Sequence, residues 1–248
     1  MATVTQKQMV RTAAEALLPN GLPDYDRIIS DDGEPVDGFY TDKQMRLLTA
    51  PLYASWSGPG EDRPFLAAAD VGLFFAYREP PIVPDVMLSL DVDFDPNFRS
   101  YFVWEYGKTP DAVIEIVSGT AGDELGKKKR IYQKIGIPYY IVWDRDLHLS
   151  DQALHCFILQ GRKYQDNGTW FPEINLGVTV WQGKHENVED TWLRWCDEQG
   201  VLLAMPEETI AQEKQRADDA NQKAQHEKQR ADILAAKLRA LGIDPDQA

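Results

Sequence analysis

The sequence lacks the residues and segments that define several large classes of protein. It contains only two cysteines, Cys156 and Cys196, which are too few for a disulfide framework and have no metal-binding spacing. No stretch approaches the roughly 18–20 apolar residues that a membrane span requires, and the N-terminus has no apolar core of signal-peptide length. We therefore expect a soluble protein that resides in the reducing cytoplasm.

Positive charge and the common catalytic motifs are scarce as well. The four histidines show no ligand spacing, and there is neither a glycine-rich phosphate loop nor a nucleophile elbow. Lys and Arg number 26 against 40 Asp and Glu, which gives a formal net charge of −14. Because duplex nucleic acid is usually bound by a basic face, any such face must be local and set in an acidic surface. A carboxylate-lined metal site remains compatible with this composition.

What is present is a globular composition whose character changes at both ends of the chain. Hydrophobic residues make up 43% of the sequence, which is ordinary for a folded protein. We predict an irregular lead-in over residues 1–32, with one short helix at 9–18. A folded domain follows over 33–204, and residues 205–248 form a separate C-terminal helical segment.

The central segment alternates between helical and strand patterns. A helix capped by Thr41 or Asp42 is predicted to run to about Tyr53. Strands are predicted as a pair within 65–77 and singly from 85, over 110–118, 139–144, 154–159 and 178–181. A second helix covers 123–136, and Asn187 is predicted to cap a closing helix that ends at Gly200. This order predicts an α/β fold in which helices cover a sheet.

The C-terminal segment contains an internal repeat. The hexapeptide EKQRAD occurs at Glu213–Asp218 and at Glu227–Asp232, 227 − 213 = 14 residues apart, which is two heptads. If Ile210 takes position a, four of the ten seam residues are alanine and two are glutamate. Such a seam buries few methyl groups, each of which contributes only about 0.8 kcal/mol. Two interpretations remain open: a long solvated helix, and a coiled coil that forms a homodimer through residues 207–241.

Glu115 is the most informative residue, because its neighbours Ala112–Val117 are otherwise apolar. A carboxylate inside a buried strand costs several kcal/mol unless it is paired or binds a metal. Asp85 follows Pro84 at the start of another strand, and two carboxylates on neighbouring strand ends suit Mg²⁺. The structural alternative for Glu115 is an internal salt bridge. Asp111, at the entrance of the same strand, is better explained as a turn or edge residue.

A run of three lysines, Lys127, Lys128 and Lys129, begins the helix that follows Glu115. At least one of them can point back towards the strand ends. An ammonium group in that place would orient an attacking water or neutralise charge on a phosphodiester. For any single lysine, a solvated surface charge is the alternative.

Several features follow one another in this order: Glu115 in its strand, an acidic residue, Lys128 and Tyr132 on the helix, and Pro138-Tyr139-Tyr140 after it. The string over residues 110–144 resembles the core of the Uma-two family of restriction endonucleases, within the PD-(D/E)XK nuclease superfamily. The resemblance covers most of residues 33–245. It implies a restriction-endonuclease-like core with a mixed β-sheet flanked by helices, followed by a long C-terminal helix.

The same resemblance implies an endodeoxyribonuclease that depends on Mg²⁺ or Mn²⁺ and hydrolyses phosphodiester bonds of DNA. Asp85 and Glu115 correspond to its two metal-binding catalytic acids. Val117 stands where the superfamily pattern has its lysine. Lys128 corresponds to a catalytic lysine that has moved to the following helix, and Lys129 is a close alternative.

Relatives of this kind often carry a histidine near the start of the first helix, where this sequence has Thr41. Gln44 is the polar group nearby that we expect to reach the site. The alternative function is a catalytically inactive member of the fold, which acts as an interaction or regulatory protein through its C-terminal helix. A metal-dependent hydrolase of another phosphate ester is a third class.

Overall fold

A computed structural model of the chain describes residues 38–60, 63–119 and 123–240. The lead-in over 1–32 and its predicted short helix at 9–18 lie outside these ranges. The chain divides into two compact units after Leu203.

Within its described residues, the first unit contains eleven strands together with helices and helical turns. In chain order the strands are β1 (Phe65–Ala69), β2 (Leu73–Phe74), β3 (Val86–Leu90), β4 (Tyr101–Phe102), β5 (Ala112–Ile116), β6 (Tyr139–Trp143), β7 (Leu154–Gln160), β8 (Lys163–Asp166), β9 (Trp170–Phe171), β10 (Leu176–His185) and β11 (Val188–Cys196). The helices are α1 (Phe39–Ala54), α2 (Val103–Tyr106), a π-helical turn (Glu124–Lys128), α3 (Lys129–Ile135) and a 3₁₀ turn (Pro172–Ile174).

A six-stranded mixed sheet with the order β1-β3-β5-β6-β7-β8 forms the centre of this unit. β5 and β6 are parallel, whereas the other neighbours are antiparallel. Every residue of β3, β5 and β6 is buried, which explains why these strands do not alternate and are apolar except for Ser89 and Glu115. The mixed sheet with its helices confirms the predicted α/β fold class.

The two faces of β5 contact different parts of the molecule. Ala112 and Ile114 belong to an apolar cluster with residues of α1 and of the sheet β9–β11. Val113 and Val117 belong to the opposite cluster, which contains Tyr132 of α3. Glu115 shares this second face, because side chains alternate along a strand. The crossover through the π-helical turn and α3 therefore lies over the face that carries Glu115.

Helix α1 confirms the first predicted helix but begins earlier than expected. It starts at Phe39 after Gly38, so neither Thr41 nor Asp42 is its cap. Asp42 lies in the first turn and pairs with Arg46 at 2.6 Å, which leaves its carboxylate engaged on the helix surface. Thr41 is buried.

Gln44 has a structural role in place of the predicted role in the site. Its Nε2 donates to the Leu193 carbonyl at 2.8 Å, and its Oε1 accepts from the Leu193 N–H at 2.9 Å. Both ends of the amide are thus occupied by the backbone of β11. The side chain joins the first helix of the unit to its last strand, 149 residues apart.

The predicted closing helix over 187–200 is wrong. Residues 188–196 form β11, which pairs with β10 over nine positions from His185↔Val188 to Gly177↔Cys196. Glu186 and Asn187 make the two-residue turn, with φ of 43° and 67°. Two central residues with positive φ are typical of a type I′ hairpin, and asparagine tolerates this conformation. Asn187 is therefore a turn residue and does not cap a helix.

The remaining strand predictions hold with changes of extent. The strand predicted at 178–181 is part of the longer β10. The segment 65–77 contains β1 and β2, but these lie in different sheets, since β2 pairs in parallel with β4.

The second unit contains the predicted long C-terminal helix, α4 (Pro206–Ala240). Its side chains are exposed along most of its length, and they include the apolar Ile210, Ile233 and Leu234. Among residues 38–60, 63–119 and 123–240, no helix combines the length and apolarity needed to cross a membrane.

Candidate active site at the carboxyl end of strand β5

Asp85 and Glu115 face each other at one end of the central sheet. Glu115 is the fourth residue of β5, and its side chain is completely buried. The antiparallel pairing of Val86 with Ile114 places Asp85 directly across from Glu115. The Asp85 carboxylate also accepts a hydrogen bond from the Ile116 N–H, which fixes its position against β5.

Two side chains of the crossover bind the Glu115 carboxylate. Lys128 Nζ donates to Oε2 at 2.9 Å, and the Tyr132 hydroxyl donates to Oε1 at 2.5 Å. Lys128 and Tyr132 are four residues apart, a spacing that places two side chains on one side of a helix. Glu115 therefore forms an internal ion pair. This is the structural alternative that the sequence allowed for this buried carboxylate.

The π-helical turn over Glu124–Lys128 presents these groups to the sheet. The Lys128 N–H donates to the Asp123 carbonyl five residues earlier, which widens the helix by one residue at this point. Such turns inside helices are frequent at functional sites. α3 ends at Ile135, and Gly136 follows it with a φ of 90°, a conformation that favours glycine and allows the chain to turn into β6.

Charge and burial act against each other in this ion pair. Burial raises the pKa of Glu115, while the nearby Lys128 and the hydroxyl of Tyr132 act in the opposite direction. Burial alone would lower the pKa of Lys128, but the carboxylates of Glu115 and Asp85 hold it above its usual value. The Lys128 ammonium is thus a fixed positive charge beside the buried carboxylate of Glu115 and near the half-buried carboxylate of Asp85.

Of the three consecutive lysines, only Lys128 contacts Glu115. Lys129 places its Nζ 3.3 Å from the centre of the Phe157 ring, and burial lowers its pKa. Lys127 is exposed. Val117, at the position of the superfamily lysine, is buried in the apolar cluster beneath α3.

Glu124 is a third carboxylate of this site and was not among the predicted site residues. Its side chain is 8% exposed, and Oε1 lies 4.0 Å from Lys128 Nζ. Oε2 is buried and has no hydrogen-bond partner within the described part of the chain. Glu124, Lys128 and Tyr132 recur every four residues, and this spacing is the sequence signal that could have identified Glu124.

Other candidate residues lie elsewhere. Asp111, at the opposite end of β5, accepts from the Leu90 N–H and from Lys108 Nζ, which agrees with an edge role.

No group of three or more His, Cys, Asp or Glu side chains that could hold a metal ion occurs in the described ranges.

The fold and the paired carboxylates beside a lysine define an α/β protein with an acidic site at one end of a mixed sheet. The family model of Uma2, described as putative restriction endonuclease, matches residues 23–180. The chain therefore belongs to the Uma2 family, and the resemblance seen in the sequence is confirmed.

A solved structure is also similar to this chain. It is a putative nuclease belonging to DUF820 from Anabaena variabilis ATCC 29413, with 15% sequence identity and a TM-score of 0.38. The similarity covers 57% of this chain and 77% of that chain. None of the curated proteins compared matches this sequence.

Proposed function

We propose that the protein is an endonuclease that depends on Mg²⁺ or Mn²⁺ and hydrolyses phosphodiester bonds of DNA. The observation that carries this proposal is the placement of Asp85 opposite the buried Glu115, with Lys128 Nζ 2.9 Å from the Glu115 carboxylate. Membership of a family of restriction-endonuclease type supports the same reaction class.

The residues present suit a small divalent cation. Mg²⁺ is commonly bound by one or two carboxylates, keeps several waters and is completed by substrate phosphate. Asp85 and Glu115 would hold it, because each carboxylate oxygen has two lone pairs and can accept beyond its present hydrogen bond. The buried Oε2 of Glu124, which has no described partner, is a suitable acceptor for a metal-bound water. When bound, the cation lowers the pKa of such a water and stabilises charge on the phosphodiester.

The protein's own side chains orient these groups. The Tyr132 hydroxyl fixes one oxygen of Glu115, and the Ile116 N–H fixes one oxygen of Asp85. Lys128, held protonated by its carboxylate neighbours, supplies positive charge where negative charge develops on the phosphate or on the attacking water. The buried surroundings strengthen this effect, since charges interact more strongly where water is excluded.

The decisive experiment is cleavage of DNA by the purified protein. Supercoiled plasmid, linear duplex and single-stranded DNA are incubated with Mg²⁺ or Mn²⁺, and EDTA serves as the control. Nicking or cleavage that requires the metal is the expected result. Absence of cleavage of every DNA and RNA form would favour the alternative, a catalytically inactive member of the fold that acts through α4. The net charge of −14 and the internal ion pair of Glu115 are the observations that favour this alternative.

The substitution Glu124→Gln is expected to lower the rate of metal-dependent cleavage about 10–100-fold, as for other groups that support metal ligands indirectly. It removes a buried charge that faces Lys128 but preserves the side-chain shape. The rate and its dependence on Mn²⁺ concentration are the quantities to measure. Asp123→Asn, an exposed neighbour on the same turn, is the matched control and should cleave like the wild type. Equal rates for both variants and the wild type would exclude Glu124 from the site.

We also propose that α4 pairs with α4 of a second copy. Apolar side chains such as Ile210 and Leu234 are exposed on it, and the repeated hexapeptide has the two-heptad period of a coiled coil. Light scattering of the full chain is expected to give twice the chain mass of 28.1 kDa. A chain that ends before Pro206 should give the mass of one copy. A full-length chain that scatters as a single copy would contradict the pairing.

The cellular compartment that we propose is the reducing cytoplasm. Cys156 and Cys196 are both free thiols and both buried. Burial raises the pKa of Cys156 to about 12, so that its thiol is unreactive in the folded protein at neutral pH.

A further inference from the structure

A basic cleft lies beside the C-terminal end of α3, outside the carboxylate site. It has a volume of about 360 Å³ and is lined by Arg130, Gln133, Lys134, Gly136, Leu159, Gly161 and Arg162. Three of these seven residues are cationic and none is acidic. This composition is the reverse of the chain as a whole, in which acidic residues outnumber basic ones by 40 to 26.

The cleft is open because two glycines form part of its wall. Gly136 and Gly161 both have positive φ, and a Cβ added to either would meet no atom within 4 Å. Leu159 supplies a half-buried apolar floor. Gln133 accepts the Tyr164 N–H at 3.1 Å, which holds α3 against the β7–β8 hairpin. The wall is therefore fixed by the fold, while the cationic side chains extend into solvent.

The positive charge of the cleft is only partly neutralised. Lys134 pairs with Glu79 at 3.2 Å, and both side chains are largely exposed. Arg130 and Arg162 are exposed and pair with no carboxylate in the described ranges. Counting the three cations against Glu79 leaves a local charge of 3 − 1 = +2. This is the kind of local basic face that an acidic protein needs in order to hold a polyanion.

The sheet register places the cleft on the same face as Glu115. Glu115 pairs with Val142, and Val142 pairs with His155 of β7, so the three residues share one row of the sheet. Leu159 lies four residues further along β7 on the same face, about 13 Å from His155 at 3.3 Å per residue. β7 lies two strands from β5, which adds about 10 Å across the sheet, so Glu115 and Leu159 are about 16 Å apart. One strand of duplex DNA rises 3.4 Å per nucleotide along the axis. The separation of Glu115 and Leu159 therefore corresponds to about five nucleotides.

We propose that the basic cleft binds the DNA backbone about five nucleotides from the bond that is cleaved. This proposal rests on the proposed function of the carboxylate site. The guanidinium groups of Arg130 and Arg162 can each bind a phosphate through two parallel hydrogen bonds, and Lys134 adds a point charge. The contacts are with phosphate, so the cleft gives affinity and register without sequence specificity.

The test is the salt dependence of DNA binding by the double variant Arg130→Gln, Arg162→Gln. Binding of a fluorescent duplex is measured by anisotropy in EDTA, where cleavage cannot occur. Removal of two phosphate contacts is expected to reduce the slope of log K against log salt concentration by about 2. In the cleavage assay the same variant should raise KM and leave kcat at saturating DNA unchanged. The control is Arg216→Gln, Arg230→Gln on α4, which removes two exposed arginines elsewhere.

Two outcomes separate the cleft from the catalytic proposal. Glu115→Gln should retain the wild-type salt slope even though its cleavage is lost. If the wild type fails to cleave but the cleft variant still shows the reduced slope, the binding site stands and the proposed nuclease activity fails. If the cleft variant and the wild type have the same salt slope and the same Kd, the proposal that the cleft binds DNA is wrong. The same holds if the loss of affinity appears with duplex RNA or an acidic peptide but not with duplex DNA.

Discussion

The substitution Glu115→Gln is expected to reduce metal-dependent DNA cleavage by about 10³-fold or more, which corresponds to about 4 kcal/mol of transition-state stabilisation. Glutamine preserves the length and shape of the side chain but removes the negative charge that would hold the cation. Loss of a group that supports a metal ligand costs about 10–100-fold, and a direct ligand should cost more. The Glu115 amide oxygen in the variant can still accept from Lys128 or Tyr132, so the fold should persist.

Cleavage and metal binding are measured on the same preparations of this variant. Plasmid nicking in Mg²⁺ and Mn²⁺ gives the rate, and calorimetric titration of Mn²⁺ gives the affinity. The cleavage activity and the Mn²⁺ affinity should be lost together if the Glu115 carboxylate supports both. Asp93→Asn removes an exposed carboxylate outside the site and should match the wild type in both assays. Cleavage by Glu115→Gln at the wild-type rate would show that the reaction does not use this carboxylate.

The second large effect concerns stability. Lys128→Met is expected to lower the free energy of unfolding by about 3 kcal/mol, near the lower end of the range for breaking one side of a buried ion pair. The Glu115 carboxylate is completely buried and would lose its only described cationic contact. The effect stays near the lower end because the Lys128 side chain is 26% exposed and Tyr132 still donates to the carboxylate.

The double variant Glu115→Gln, Lys128→Met distinguishes a lost charge partner from lost packing. Because the double variant has no unpaired buried carboxylate, it should unfold at a higher urea concentration than Lys128→Met alone. Unfolding is followed in EDTA, because a bound metal ion would add its own stabilisation to the folded state. If the changes in the free energy of unfolding caused by the two single substitutions simply add, the two residues are not coupled. The explanation by an unpaired buried carboxylate is then wrong. Arg130→Met, an exposed cation two residues away, is the matched control and should change stability little.

The elements around the site could be predicted because their signals are local. β5 and β6 are apolar runs of strand length, and the helix between them ends at Gly136 with Pro138 just beyond. The cost of a charge in an apolar run identifies Glu115 without any structure. Which lysine reaches it could not be read from spacing alone, since a π-helical turn displaces the residues before α3 by one position.

The wrong predictions share a physical origin in distant contacts. Residues 188–196 carry a helix-like pattern, but pairing with β10 and burial of Trp192 and Trp195 determine a strand. Gln44 appeared to be a polar group available to the site, whereas its amide is satisfied by a strand 149 residues away. Glu124 was missed because its four-residue spacing from Lys128 is also that of an ordinary solvated pair on a helix, and the burial of its carboxylate depends on the fold.

The hydrogen bonds between Gln44 and Leu193 have a consequence for biosynthesis. At the usual rate of about 5–20 residues per second, the ribosome needs roughly 7–30 s to add the residues between them. During that time the backbone groups that satisfy the buried amide of Gln44 do not yet exist. The apolar face of α1 therefore lacks its contacts with β11 until the β10–β11 hairpin has been synthesised. The first unit can complete its folding only after that.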